Sequence, residues 1–324
     1  MSCQLLFSFL TPQLDPNCFV LDGAAAIRYS QELPMDGIHR RFSLPQARFQ
    51  GDSRQNGWMF QWRADVIPSA ADGSYIGIAG EAMVWQLNRV QIGWNGQNFM
   101  VLAGLIDDPW VFSQNATWGN RNLGLGVAEN NGMLNRADTG VAFQYQRNRF
   151  LMQFRMVSGE GELYQERNTG FNSQFFGRFN IDDNHAVDVM AQEGSRGFSS
   201  AQEHRIGARI SSSGVLGYGL EVLKGWGLQG DSSLHPLVFS SWVRHQPAKG
   251  WSGLLRMDGI LYEEPYRIDG LLGAGWSFSR SAQLYLHTLQ SYSFDGGYQA
   301  TDAQRWQQTY FLQFQVQYQR GWTP

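Results

Sequence analysis

The sequence contains no run of about 18 apolar residues, the length that a membrane-spanning helix requires. Its two cysteines, Cys3 and Cys18, are too few for a disulfide framework, and their spacing fits no metal site. They can form one bridge in an oxidising compartment or remain unpaired near the start of the chain. These absences exclude a helical membrane protein and a disulfide-rich secreted domain.

Charge is also scarce, at 16% of the 324 residues, against about 25% in typical soluble domains. The net charge of -3 and the isoelectric point near 6.1 argue against nucleic-acid binding. Lys224 and Lys249 are the only lysines among the 25 basic residues. Arginine is the better choice for a wall on which a planar, permanently charged group pairs with carboxylates.

Motifs for catalysis or cofactor binding are missing as well. The sequence has no G-x-S-x-G nucleophile elbow, and its glycine-rich stretches at 194–197 and 225–230 lie in expected loops with no helix after them. None of the histidines has the spacing of a zinc site. They are His39, His185, His204, His235, His245 and His287. We therefore predict that the protein is not an enzyme and has no metal or cofactor.

Apolar and polar residues alternate in many segments of the chain. In Thr309–Tyr318, Leu312, Phe314 and Val316 alternate with glutamines. Side chains on a strand point to opposite faces with period two, so this segment has one apolar and one polar face. Similar segments recur along the whole chain, which is typical of a transmembrane β-barrel with lipid outside and water inside.

The pattern predicts about sixteen strands, an even number as bacterial single-chain barrels have. The predicted strands are Phe19–Tyr29, Phe42–Gln50, Gly57–Val66, Ala82–Trp94, Asn98–Leu105, Thr139–Gln146, Arg149–Val157, Asn172–Asn180, His185–Gln192, Glu203–Ser211, Gly214–Leu223, Pro236–His245, Trp251–Leu261, Arg267–Phe278, Ala282–Ser291 and Gln307–Tyr318. Short connections rich in Gly, Asn, Asp and Ser alternate with longer ones, as periplasmic turns alternate with outer loops.

Charges fall on the inward parity of these strands. In Arg149–Val157, for example, Phe150 and Phe154 share the expected lipid face while Arg155 faces water. Aromatic residues near strand ends suit interfacial girdles. They include Tyr29, Trp58, Trp94, Trp251, Trp276 and Tyr318. A soluble β-barrel or sandwich is the structural alternative, but it would not repeat so apolar an outer face on every strand.

Two irregularities are expected within strands. Pro45 has no N–H to donate to a ladder and predicts a bulge in the second strand. The fourth strand changes parity between Trp85 and Arg89, which indicates either a bulge or a different strand boundary.

The chain has no linker and divides into a segment 1–17 and one barrel domain, 18–324. Residues 1–10 have a short apolar run without a basic start or a cleavage site, so we interpret 1–17 as a signal remnant or a frayed tail.

Residues 106–138 form the longest stretch without strand character, and loops of this length are usually functional. The order of strands around it, together with 39–51, 101–110 and 135–145, resembles the sixteen-stranded porins of Gram-negative outer membranes, including their phosphate-selective branch. The resemblance covers most of the chain as a pattern, although each motif is short. It implies that this third loop folds into the barrel and narrows a pore.

In that family, acidic residues on the loop face an arginine wall across the constriction, and the resulting field sorts ions. Carried over by resemblance, the acids are Asp107, Asp108 and Glu129, and the facing residues are Arg28, Arg48, Arg63 and Arg89. The alternative is that Asp107 and Asp108 only cap a turn, since Asp-Pro favours turns.

Further charges on inward parity are expected to line the lumen. They are Arg155, Arg178, Arg205, Arg209, Glu221, Arg256, Asp258, Arg267 and Asp269, with Asp65 and Asp188 as additional acids. The lining is mixed and slightly rich in arginine, which predicts a weak preference for anions.

The expected function is passive diffusion of small hydrophilic solutes and ions across an outer membrane, in contact with lipid and lipopolysaccharide. The resemblance implies a homotrimer, with 67–81 as a latch onto a neighbouring subunit. Two alternatives remain: a porin specific for phosphate, a sugar or a carboxylate, and a non-conducting barrel with a structural or adhesive role.

Overall fold

The computed structural model describes residues 18–32, 39–68, 83–120, 123, 125–159, 170–195, 202–228, 231–247, 249–262, 266–279, 282–294 and 304–322. The segment 1–17, Cys3 and most of the predicted latch, 69–81, lie outside these residues.

The described residues form sixteen antiparallel strands, and two short helices interrupt their succession. The strands are β1 Cys18–Glu32, β2 His39–Gln55, β3 Trp58–Pro68, β4 Met83–Asn95, β5 Phe99–Asp107, β6 Ala137–Arg147, β7 Phe150–Val157, β8 Asn172–Asn180, β9 His185–Ser195, β10 Gln202–Ser212, β11 Leu216–Trp226, β12 Leu237–His245, β13 Gly250–Leu261, β14 Tyr266–Ser279, β15 Ala282–Phe294 and β16 Gln304–Trp322. The helices are α1 Pro109–Trp118 and α2 Val127–Asn130. All sixteen predicted strands are present.

Each strand pairs with its neighbours in sequence, and β1 pairs with β16 to close the barrel. Closure removes the free edges that an open sheet would expose. The turns at one end are tight because their residues accept left-handed backbone: Asn56 and Gly57, between β2 and β3, have φ of 52° and 85°.

The burial of side chains follows the predicted parity. Along β7 the exposed and buried residues alternate strictly, with Phe150, Met152, Phe154 and Met156 outward and Arg155 inward. An apolar outer belt therefore surrounds the barrel. Girdle aromatics Trp58 and Trp251 are 56% and 71% exposed, near the turns. The pattern is that of a barrel whose outer face meets lipid.

Both expected irregularities are present as bulges. The ladder between β1 and β2 skips from the pair Ala26–Gln46 to the pair Arg28–Ser43, so Pro45 lies in the irregular stretch. The ladder between β3 and β4 gains one residue at Asn88. This bulge turns Asn88 into the barrel, where its Oδ1 accepts a hydrogen bond from Arg63 Nε at 2.7 Å.

The third loop, between β5 and β6, folds into the barrel and carries both helices. Its side chains pack against inward residues of distant strands, as Trp110 does against β10 and β11 and Trp118 against β12. Neither helix in the described residues is long and apolar enough to cross a membrane.

Besides a small cluster on the wall itself, made of Met59, Leu102, Ile106, Ala142 and Val157, two apolar clusters of described residues lie inside the barrel, where a water-filled lumen would have polar walls. The first joins the loop to strands β7 to β13 and consists of Trp110, Val111, Val127, Ala128, Met133, Leu134, Leu151, Phe176, Met190, Leu223, Leu228, Val238 and Ile260. The second joins it to β12 to β15 and consists of Trp118, Leu123, Trp242, Leu254, Leu271 and Tyr285. Burying a large apolar side chain contributes roughly 1.5–3 kcal/mol, so these clusters hold the loop firmly to one side of the interior.

Candidate functional site: the inward-folded loop and the facing wall

Helix α1 begins with a strong cap. Asp108 Oδ1 accepts hydrogen bonds from the backbone amides of Trp110 at 2.8 Å and Val111 at 3.1 Å, and Pro109 occupies the first helical position. Asp108 Oδ2 accepts from Arg155 and, at 3.0 Å, from Gln174 Nε2. Asp108 thus both caps the helix, as one of the two sequence hypotheses proposed, and binds the loop to β7 and β8.

Helix α1 is fixed to the wall by a group of buried side chains, here called the loop anchor: Trp110, Ser113, Arg178, Asp188, Arg209 and Glu221. Ser113 Oγ donates to Asp188 Oδ2 at 2.9 Å and accepts from Arg209 Nη2 at 2.7 Å. Trp110 Nε1 donates to Glu221 Oε1 at 3.2 Å, and the guanidinium of Arg209 lies 4.5 Å from the Trp110 ring centroid. The side chains of Arg209, Asp188 and Glu221 are fully buried.

The geometry of the loop anchor follows from strand register. Arg209 on β10 lies directly opposite Asp188 on β9 and Glu221 on β11. One cation therefore stands between two carboxylates in a single row. Buried charges are tolerated when they are paired and hydrogen-bonded, and here the loop supplies the remaining partners.

The far end of α1 is held in two further ways. Arg244 Nε donates to the carbonyl oxygen of Thr117 at 3.0 Å. Trp118 packs edge-on against Trp242, with ring centroids 6.5 Å apart. Trp242 itself lies over Gly219, where an added Cβ would come within 2.2 Å of its ring, so only glycine leaves room for it.

On the opposite side of the interior lies a second group, here called the arginine cluster: Arg48, Arg63, Arg89 and Arg136 with Asp65 and Asp107. Arg48 Nε donates to Asp65 Oδ1 at 3.0 Å, and Arg136 Nη1 donates to Asp65 Oδ2 at 2.5 Å. Arg63 and Arg89 both pair with Asp107. Sequence reasoning did not select Arg136, which lies in the return of the loop to the wall.

The structure thus brings Asp107 together with Arg63 and Arg89, as direct ion pairs rather than across a gap. Arg48 contacts Asp65 instead. Glu129 lies half-buried on α2. Arg28 lies on β1, and the position of its side chain is not described. That these residues line a constriction of the pore stays a prediction.

The predicted lumen residues all lie on inward-facing positions, but the loop covers several of them. Arg155, Arg205, Arg209 and Glu221 are buried; Arg155, Arg209 and Glu221 bind the loop, and Arg205 pairs with Glu203 on its own strand. Three other arginines pair with acids near them: Arg178 with Asp188, Arg256 with Asp258 and Arg267 with Asp269. Arg267 is the most accessible of them, with 44% of its side chain exposed.

Trp242 and Tyr285 were missed by the sequence analysis. Each is a large aromatic residue at inward parity beside polar inward residues, Trp242 between Ser240 and Arg244 and Tyr285 between Gln283 and His287. An aromatic residue in that position indicates a packing partner inside the barrel, and this signal could have found them.

Known barrels share this arrangement of strands over nearly their full length. The anion-selective porin from Comamonas acidovorans is 10% identical, with a TM-score of 0.69, covering 93% of this chain and 100% of that one. The chain has the porin fold.

Two further solved structures give the same result. Salmonella typhi OmpF in complex with daunomycin is 9% identical, with a TM-score of 0.68, covering 94% of this chain and 98% of that one. OmpT, an outer membrane protein of Vibrio cholerae in trimer form, is 9% identical, with a TM-score of 0.65 and coverages of 93% and 99%. No family model and no curated protein matches the sequence. These likenesses confirm the predicted resemblance to porins at the level of the fold.

Proposed function

We propose that the protein is a passive diffusion channel of a Gram-negative outer membrane, admitting small hydrophilic solutes and ions with a weak preference for anions. The observation that carries the proposal is the loop. A segment of the chain folds inside a closed sixteen-stranded barrel and is fixed to one side of it by buried polar and charged contacts, which supports a narrowed aqueous passage.

The arginine cluster supports the anion preference. It contains four guanidinium groups and two carboxylates among the described residues. The side chain of Arg48 is 22% exposed and that of Asp65 only 2%, so a passing solute meets the cation more readily than the anion. Both charges lie on β2 and β3, on the side of the interior away from the two clusters that pack against the loop.

The test is single-channel current after refolding the protein into a planar lipid bilayer with a salt gradient. Current steps that occur in multiples of three, together with a reversal potential that shows chloride to be more permeant than the cation, would support a trimeric and weakly anion-selective channel. A reversal potential of the opposite sign would overturn the anion preference alone. Silence from folded, inserted protein would overturn the channel.

A non-conducting barrel is the second candidate, because two apolar clusters fill one side of the interior. It predicts silence at every voltage, together with the same folded, inserted state. The bilayer measurement therefore separates the two functions directly.

A further inference from the structure

The side of α1 turned away from the wall carries no charge. Trp110, Ser113, Gln114, Thr117 and Trp118 form the buried side of this helix. Residues three and four positions apart share one side of a helix, so Phe112, Asn115, Ala116 and Gly119 form the opposite side. The first three are half-buried and Gly119 is exposed. The acids next to the helix are already engaged, Asp107 with two arginines and Asp108 with Arg155. The loop therefore offers a solute an aromatic ring and small neutral groups.

This neutral side adjoins the arginine cluster. The guanidinium of Arg89 lies 5.3 Å from the centroid of the Phe112 ring. Arg48, two strands away, is the most exposed arginine of the cluster. Half-buried Gln50 and Gln61 lie on the same inner face as the cluster. One border of the passage is thus cationic and polar, and the other is uncharged and partly apolar.

We propose that this passage favours small organic anions that carry one carboxylate on an apolar body; the inference rests on the proposed channel function. Arg48 donates Nε at 3.0 Å and Nη2 at 3.4 Å to Asp65, and a solute carboxylate would meet the exposed part of the same guanidinium, in competition with Asp65. An aromatic or aliphatic body can pack against Phe112 and Ala116. Phosphate would turn some of its oxygens toward α1, where Asn115 is the one polar side chain on this side of the helix. Organic cations would be repelled by the arginines.

The experiment measures block of the channel by four probes added to one side of a planar bilayer: benzoate, acetate, benzyl alcohol and benzylammonium. Benzoate should halve the current at a concentration roughly tenfold below that of acetate, because only benzoate uses both borders. Benzyl alcohol and benzylammonium should block weakly, since neither offers a carboxylate to Arg48.

Substitutions at two positions, Phe112 and Arg48, test the two borders separately. Phe112→Ala should bring the half-blocking concentration of benzoate to that of acetate and leave acetate unchanged. Arg48→Gln should weaken block by both anions, and Arg48→Lys, which keeps the charge without the planar fork, should weaken it less. Phe150→Ala on the lipid face and Arg149→Gln in the neighbouring turn are matched controls that should leave both values unchanged.

Equal block by benzoate and acetate in the unmodified channel would overturn the inference while leaving the channel function intact. Strong block by benzylammonium, or a Phe112→Ala channel that still discriminates, would overturn it too. A protein that passes no current before any probe is added instead rejects the proposed function, so the two failures are distinguishable.

Discussion

Arg209 shows how a single residue in this barrel serves both the wall and the loop. It pairs with carboxylates on both neighbouring strands, and its Nη1 donates to the carbonyl oxygen of Trp110 at 3.3 Å. Its hydrogen bond to Ser113 reaches across 96 residues of sequence. A charge that would be costly to bury alone becomes a contact that fixes the position of α1.

Asp188→Asn should destabilise the folded barrel by about 3–5 kcal/mol, because it leaves Arg178 and Arg209 with one buried carboxylate fewer. The free energy of unfolding in urea, measured in lipid vesicles, checks this. Asp182→Asn is the matched control: the same change in the adjoining turn, at a side chain that is 52% exposed. Equal losses in the two variants would contradict a structural role for the loop anchor.

The residues of the loop anchor also show what could and could not be predicted from the sequence. Inward parity identified Asp188, Arg209 and Glu221, because strands have a fixed period of two. Parity does not say what fills the space in front of a side chain. The partners Trp110 and Ser113 lie far away in sequence, and no local pattern links them to β9, β10 and β11.

At the scale of elements, α1 depends on a gap in the wall. An added Cβ at Gly207 on β10 would lie 2.9 Å from a methyl of Leu223 and 3.1 Å from the Trp110 ring. The absence of a side chain there lets the indole lie flat against the strand. The cap at Asp108 and the αL backbone of Gly119, with φ of 72°, set the two ends of the helix.

Gly207→Leu should displace α1 while leaving the barrel closed, since overpacking costs about 1–3 kcal/mol and the loop has fewer contacts to lose than the strands. Faster hydrogen exchange of the amides at 110–118 measures the displacement. Gly253→Leu is the control, because its Cβ would meet only a backbone oxygen at 4.0 Å. If exchange in α1 is the same in both variants, Trp110 does not depend on this gap.

The elements themselves were largely predictable. Alternation located the strands, Pro45 located one bulge through its missing donor, and the change of parity before Arg89 located the other. The inward path of the loop followed from the resemblance to porins and is confirmed. Its helices were not predicted, because α1 has no strong apolar stripe; the side it buries mixes Ser113, Gln114 and Thr117 with two tryptophans.

At the scale of the whole molecule, the barrel faces two environments. Its outer belt is apolar across the described strands, and its inner face is polar except at its buried apolar clusters. In β11, Leu220 and Val222 are 60% and 49% exposed outward, whereas Glu221 between them is 2% exposed inward. The same strand therefore meets lipid on one side and the loop on the other.

Leu220→Arg should cost about 2–4 kcal/mol of folding free energy in a bilayer, since it places a cation at mid-strand on the lipid face. Leu216→Arg, at the end of the same strand and equally exposed, should cost about 0–1 kcal/mol because the side chain reaches the interface. Urea titration in vesicles compares them. A similar cost at both positions would argue against a membrane around this face.

The loop's contacts also bear on the order of assembly. Hairpins join neighbouring segments and can form as soon as both strands exist, but the partners of Trp110 and Thr117 lie 111 and 127 residues further along. Closing such long loops is entropically costly and slow. The third loop therefore cannot complete its docking until β11 and β12 have joined the sheet, although its contacts with β7 to β10 can form earlier. A chain that stopped after β9 would carry α1 with neither Glu221 nor Arg244 to receive it.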